Sequence, residues 1–149
     1  FCEMMLPNLE IGAKRKGRAL KDIDLGGHGF IGCGKTEKGL EEVRKRLRVR
    51  IALYASTPEY RPMLEMHGWE NLFSPLIDLA HQNKWEEMGD LVTDEMLDEY
   101  AVVGRPEEVP QKLKTRFGGV TQRIQMDDEW FEEMSEGDIK KLVKAIQKI

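Results

Sequence analysis

The chain has 149 residues, with 40% hydrophobic and 34% charged side chains and a formal net charge of −4 at pH 7. These values indicate one folded globular domain rather than a disordered chain. The negative charge argues against nucleic acid as a partner, because phosphate binding requires a basic surface. No apolar run approaches the roughly 18 residues that span a bilayer. We therefore expect no membrane segment and, without a recognisable signal peptide, a cytoplasmic location.

The first half of the chain combines helical and strand patterns. A helix is predicted near residues 3–16, and a short strand weakened by glycines is predicted within residues 23–33. A long helix is predicted after Thr36, because apolar residues then recur every three or four positions. Thr36 itself is a residue type suited to cap it. These residues are Leu40, Val43, Leu47, Ile51 and Tyr54. The helix is expected to end before Pro58.

The second half continues the alternation. The predicted elements are, in chain order, a loop over 58–62, helices over 63–67, 72–81 and 85–91, a helical turn capped by Thr93 or Asp94, a strand over 101–103, a helix from Pro106 to about Phe117, a strand over 120–126 and a helix over 138–149. Such alternation predicts an α/β protein with a parallel sheet. Only two or three strands are available, and a closed eight-stranded barrel needs about 250 residues. The chain therefore holds at most half of such a barrel.

Two features indicate no site of their own. The cysteines, Cys2 and Cys33, lack partners at the spacing of a disulfide framework or a zinc site, so no metal is expected. The basic run from Arg44 to Arg50 is interleaved with apolar residues at helical spacing. It is therefore interpreted as a solvated helix face rather than as a surface that binds phosphates.

Residues Gly29 to Thr36 match the phosphate-binding pattern G-x-x-x-x-G-K-S/T. In such a loop Lys35 would reach the β- and γ-phosphates and the Thr36 hydroxyl would hold Mg²⁺. The context is poor, because few apolar residues precede the motif and no later apolar strand ends in the aspartate that the magnesium site needs. A nucleotide-binding module built on this segment is the first alternative function.

The most specific signal lies between Arg50 and Arg123. Its motifs are Tyr54-Ala55-Ser56-Thr57-Pro58-Glu59-Tyr60-Arg61-Pro62, His67-Gly68-Trp69, Trp85-Glu86-Glu87-Met88 and Val103-Gly104-Arg105-Pro106-Glu107-Glu108-Val109. This pattern resembles the C-terminal portion of the luciferase-like monooxygenase superfamily, especially the branch that uses the deazaflavin coenzyme F420. Two prolines depart from the pattern: Pro75 and Pro110 fall inside predicted helices, where each would remove a backbone hydrogen bond.

The resemblance implies that residues 1–149 form the C-terminal half of a (β/α)8 TIM barrel, a helix-rich and incomplete barrel. It implies a flavin- or coenzyme F420-dependent oxidoreductase that performs hydride transfer or monooxygenation on an unknown small organic substrate, with FMN or coenzyme F420 as cofactor. Ring-binding residues of such enzymes lie largely in the N-terminal half. The implied partner is therefore a missing N-terminal half-barrel, and the fragment is expected to be inactive alone, with no catalytic residue assigned.

Because the chain begins with Phe1, we expect the gene to extend upstream. The intact enzyme is also compatible with a homo-oligomer. A second alternative function is a non-catalytic barrel remnant that pairs with a partner, since a half-barrel exposes two sheet edges and an apolar face.

The candidate cofactor-binding residues are Tyr54, Tyr60 and Arg61, which flank the irregular segment after the long helix. Loops at the C-terminal ends of barrel strands carry function, so Arg61 is predicted to meet a cofactor phosphate or a substrate acid. The favoured interpretation is structural: the tyrosines pack the loop and Arg61 pairs with Glu59 or Glu65.

Overall fold

The computed structural model describes residues 5–148, so Cys2 lies outside the described residues. The helices are α1 (Met5–Arg15), α2 (Glu37–Ala55), α3 (Arg61–His67), α4 (Phe73–His81), α5 (Trp85–Asp90), α6 (Asp94–Tyr100), α7 (Val109–Phe117) and α8 (Glu136–Ile146). The strands are β1 (Gly26–His28), β2 (Phe30–Gly34), β3 (Ala101–Gly104), β4 (Arg123–Gln125) and β5 (Phe131–Glu132). The predicted alternation of helices and strands is confirmed, with boundaries shifted by a few residues.

Local signals set several helix ends. The Thr36 side chain accepts a hydrogen bond from the Gly39 backbone N–H at the start of α2, and Thr93 caps α6 in the same way through Met96. Gly68 ends α3 with a positive φ of 74°, a conformation that glycine adopts without steric cost. The caps at Thr36 and Thr93 were predicted, and Thr93 rather than Asp94 holds the cap position of α6.

The prolines do not interrupt their helices, which corrects the expectation from the sequence. Pro75 is the third residue of α4 and Pro110 is the second residue of α7. The first four N–H groups of a helix have no partner within it, so neither proline removes a hydrogen bond. α7 also begins later than predicted, at Val109, because Pro106 lies in the turn before it.

All the strand pairs among the described residues are parallel. β2 lies between β3 and β5, while β1 pairs with β4. Only Gly29 separates β1 from β2. β5 was absent from the predicted elements, because a strand of two residues carries no periodic signal in the sequence.

The strand order differs from that of consecutive strands in a (β/α)8 barrel, where each strand lies beside its neighbours in sequence. Here β5 occupies the free side of β2, and β4 pairs with β1 instead of β3. The structure is thus a helix-rich α/β protein with parallel sheets, as predicted, in an arrangement that the sequence did not indicate.

Helices cover both faces of the β2–β3 pair. On one face α2 packs directly on the strand, because Gly32 has no side chain: a Cβ there would lie 2.3 Å from Val43 Cγ1. On the other face the buried residues form one cluster contributed by β2, β3, α7 and α8: Ile31, Cys33, Val102, Val109, Leu113 and Leu142. The exposed apolar sheet face expected of a half-barrel is therefore not observed in the β2–β3 pair.

Candidate functional site

Two polar side chains follow β2 at the carboxyl edge of the sheet, the edge at which the parallel strands end. Lys35 Nζ lies 2.7 Å from a carboxylate oxygen of Asp138, and the Thr36 hydroxyl donates a 2.7 Å hydrogen bond to Glu133. The hydrogen bonds that Lys35 and Ser135 donate to Asp138 hold the pKa of its carboxyl well below its usual range. Both side chains of the motif are thus satisfied by carboxylates from the last part of the chain.

This geometry does not fit a phosphate-binding loop. Five residues of the matched pattern, Phe30–Gly34, form β2, and their register pairs them with β3 and β5. Backbone groups committed to a ladder are not arranged to cradle phosphates. Glu133 and Asp138 also place negative charge beside Thr36 and Lys35, where a phosphate would be repelled. Lys35 and Thr36 form the turn between β2 and α2.

Gly34 is required for this turn, because a Cβ there would lie 2.7 Å from the backbone nitrogen of Leu40. We expect Gly34→Ala to lower the free energy of unfolding by about 1–3 kcal/mol, since α2 itself would have to move. Gly137→Ala is the control: its Cβ would meet only Ser135 Oγ, at 3.7 Å, and alanine favours a helix. Urea unfolding followed by circular dichroism compares them, and equal stability of the two variants would contradict this account.

Cys33 and Arg105 complete the carboxyl edge, at the ends of β2 and β3. Cys33 is fully buried, and burial together with the charges of Glu107 and Glu108 raises the pKa of its thiol to about 11. The thiol is therefore protonated at neutral pH and is a poor nucleophile. The Arg105 guanidinium lies 3.7 Å from Glu37. In the part of the chain that the structure describes, no group of histidine, cysteine or acidic residues is arranged to hold a metal ion.

A separate cleft of about 340 Å³ is lined largely by aromatic and aliphatic side chains. We call it the aromatic cleft; its lining is Gly29, Phe30, Ile51, Tyr54, Ala55, Tyr60, Met63, Leu64 and Tyr100. The rings of Tyr54 and Tyr60 meet edge to face with centroids 5.3 Å apart, and Tyr54 lies 5.8 Å from Phe30. Gly29 and Phe30 are at the start of β2, and Tyr100 directly precedes β3. The aromatic cleft therefore opens at the amino edge of the sheet.

Arg61 is not part of the lining of the aromatic cleft. Its Nε donates to Glu65 at 2.9 Å, and its guanidinium lies 5.3 Å from the ring centroid of Phe73. The predicted pairing of Arg61 with Glu65 is confirmed. Tyr54 and Tyr60 come together in the cleft, but at the edge opposite to the one where barrel enzymes act. Neither tyrosine therefore lies on a loop at the carboxyl end of a strand, and cofactor contact by Tyr54, Tyr60 and Arg61 stays a prediction.

The comparisons with known proteins identify the family. Residues 2–122 match the family described as luciferase-like monooxygenase. The chain belongs to this family. Uncharacterized proteins of Mycobacterium tuberculosis and Mycobacterium bovis are each 36% identical to it over 122 residues, which cover 82% of this chain and 36% of the relative. The 5,10-methylenetetrahydromethanopterin reductase of Methanolobus tindarius is 26% identical over 126 residues, covering 82% of this chain and 37% of that enzyme.

Two facts limit which properties of luciferase-like relatives can be applied to this chain. The chain spans only 36% of the length of the mycobacterial relatives, and the match ends at residue 122, before β4, β5 and α8. Glu133 and Asp138, which contact Thr36 and Lys35, lie in this unmatched part. Neither residue was recognised from the sequence, and the only local signal was the Ser135-x-x-Asp138 pattern of a helix start. No helix within residues 5–148 is long and apolar enough to cross a bilayer.

Proposed function

We propose that the chain is part of a luciferase-like oxidoreductase that uses FMN or coenzyme F420 and acts on a small organic substrate in the cytoplasm. The observation that carries this proposal is the family match over residues 2–122. The relatives named as methylenetetrahydromethanopterin reductases favour hydride transfer over monooxygenation. When bound, the reduced cofactor would supply the hydride, and the protein would contribute binding and orientation.

We propose that the described residues form only part of a cofactor site. The lining of the aromatic cleft contains no basic side chain, although both cofactors carry a phosphate that favours a cationic partner. At the carboxyl edge Lys35 and Arg105 are already paired with Asp138 and Glu37. Arg61 would have to leave Glu65 before it met a phosphate. No catalytic step is therefore assigned to this chain, and we propose that it is inactive alone.

We further propose that residues 1–149 correspond to the C-terminal half of a (β/α)8 barrel whose N-terminal half supplies most contacts to the cofactor ring. The coverage of 36% of the mycobacterial relatives supports a longer protein. In that barrel β4 would lie beside β3, so the strand order of the chain would have to change when the other half is present. An intact enzyme that forms homo-oligomers is consistent with this arrangement.

Fluorescence titration with FMN and with coenzyme F420 tests the proposal. We expect no saturable binding to the 149-residue chain and saturable binding of one cofactor to the protein expressed together with its upstream coding sequence. If the longer protein binds neither cofactor, the proposed function is wrong.

Saturable binding to the 149-residue chain would instead overturn its proposed inactivity and direct attention to Arg61. Two variants then show whether this arginine holds the phosphate. Arg61→Met should weaken binding, whereas Lys14→Met, which removes a comparable exposed pair with Glu10 four residues away, should not.

A further inference from the structure

The last part of the chain covers the carboxyl edge of β2. β5 pairs with Cys33 and Gly34, the two residues that end β2. Beyond it, α8 contributes Leu142 to the cluster that buries Cys33. We call residues 131–148 the strap. All of it lies beyond the residues that match the luciferase-like family.

Three polar contacts hold the strap to the turn after β2 and to α2, and we call these contacts the latch. They are Lys35 with Asp138, Thr36 with Glu133, and Arg46 with Glu132, each with a closest distance of 2.7 Å. The two ion pairs are partly exposed, since the exposed side-chain fractions are 44% for Lys35 and 22% for Asp138, and 41% for Arg46 and 35% for Glu132. Ion pairs that are partly exposed to solvent contribute little stability individually, so the contacts of the latch break easily.

Most of the apolar side chains that attach the strap are only partly buried, namely Phe131, Met134 and Ile146. Leu142 is the single buried residue of α8, whereas α2 buries seven residues. A cleft of about 570 Å³ separates part of the strap from α7, with Val143 and Ile146 lining it on the strap side. Few buried contacts are typical of segments that open locally without unfolding the rest of the domain.

Backbone strain is located in the same place. Glu133 has a positive φ of 58°, which is unfavourable for a residue with a side chain. Such residues cluster in switch regions and ligand clamps, where the surrounding contacts maintain them. Opening of the latch would free Glu133 from Thr36 and allow its backbone to relax. The strain therefore favours the open state of the strap.

We propose that the strap opens as a unit on the folded chain and that its closed state blocks the carboxyl edge of β2. Trp130 is the fixed end, since it is only 6% exposed and packs against Phe30. Opening frees Lys35 and Thr36 from their carboxylate partners at the edge where parallel α/β proteins bind their ligands. The strap is thus an internal cover of this edge, and its autoinhibitory role rests on the proposed function.

Cys33 reports strap opening directly, because β5 and α8 cover it. In a Cys2→Ser background we would measure the rate at which dithionitrobenzoate labels Cys33. Lys35→Met removes one contact of the latch and should raise the labelling rate about 1.4- to 5-fold, which is the 0.2–1 kcal/mol of an exposed pair converted at 1.36 kcal/mol per tenfold. Glu133→Met removes the acceptor of the Thr36 hydroxyl and should raise the rate further in the double variant.

Lys140→Met is the matched control, since Lys140 pairs with Glu136 within α8 and has no contact in the latch. Its labelling rate should equal that of the parent. The urea midpoint of each variant, measured in parallel, separates local opening from global unfolding. Equal labelling of the parent and the double variant would overturn the proposal. The proposal would also be overturned if, even at low urea, the labelling rate depended on urea as steeply as global unfolding does. In that case the strap would not open by itself.

Discussion

Replacing Trp130 with alanine is expected to lower the free energy of unfolding by about 3–5 kcal/mol, the range for large aromatic residues removed from a core. Trp130 is 6% exposed, and its ring meets Phe30 edge to face with centroids 6.1 Å apart. The guanidinium of Arg50 lies 5.4 Å from the centre of the same ring. The substitution removes both interactions and leaves a cavity between the last part of the chain and α2.

Urea unfolding followed by far-ultraviolet circular dichroism measures this loss without relying on tryptophan fluorescence. Trp85→Ala provides the control, since Trp85 is 41% exposed and its removal should cost far less. Trp130→Phe keeps an aromatic ring and should fall between the parent and Trp130→Ala, which preserves a measurable folded state. If Trp130→Ala and Trp85→Ala were equally stable, the segment after β4 would not be docked as the structure shows.

The helices and their caps were predictable from the sequence because their causes are local. Thr36, Gly68 and Thr93 act within three or four residues of their own positions, and the long stripe of α2 repeats along one segment. The role of Trp130 could not be decided in this way. Its partners, Phe30 and Arg50, lie about 80 to 100 residues earlier in the chain, and no pattern around Trp130 encodes them.

The strand order illustrates the same limit. Alternating helices and strands predicted parallel pairing, which the structure shows, but they do not decide which edge of β2 a later strand joins. β5 adds only two residues to that edge, so its position depends on Trp130 and on the contacts of α8. Those are tertiary contacts, and the sequence predicts only the tendency of α8 to form a helix.

The candidate site was predictable to a similar extent. Lys35 and Thr36 were recognised as chemically distinctive, but their carboxylate partners lie about 100 residues away and were missed. Tyr54 and Tyr60 were correctly grouped, since both line the aromatic cleft. Their edge of the sheet was misjudged, because a segment that follows a helix returns to the start of the next strand rather than to its end.

Leu47→Ala is expected to lower the free energy of unfolding by about 2–5 kcal/mol. Leu47 is fully buried on α2, in the core cluster between the sheet and the short helices. It packs over Gly32, where even a Cβ would lie 3.1 Å from Leu47 Cδ1. Because Gly32 has no side chain that can move into the vacated volume, the cavity should persist, and the loss should lie toward the upper part of the range.

Chemical unfolding of Leu47→Ala beside Leu47→Met and Lys38→Ala separates packing from helix propensity. Methionine nearly conserves the volume and should cost less than about 1.5 kcal/mol. Lys38 is exposed on the same helix, so its replacement should change the free energy of unfolding by no more than about 0.5 kcal/mol. If Leu47→Ala lost less free energy of unfolding than Leu47→Met, α2 would not pack on Gly32 as described. The described positions of Lys35 and Thr36 would then be wrong as well. These two residues immediately precede α2, so the contact of α2 with β2 positions them.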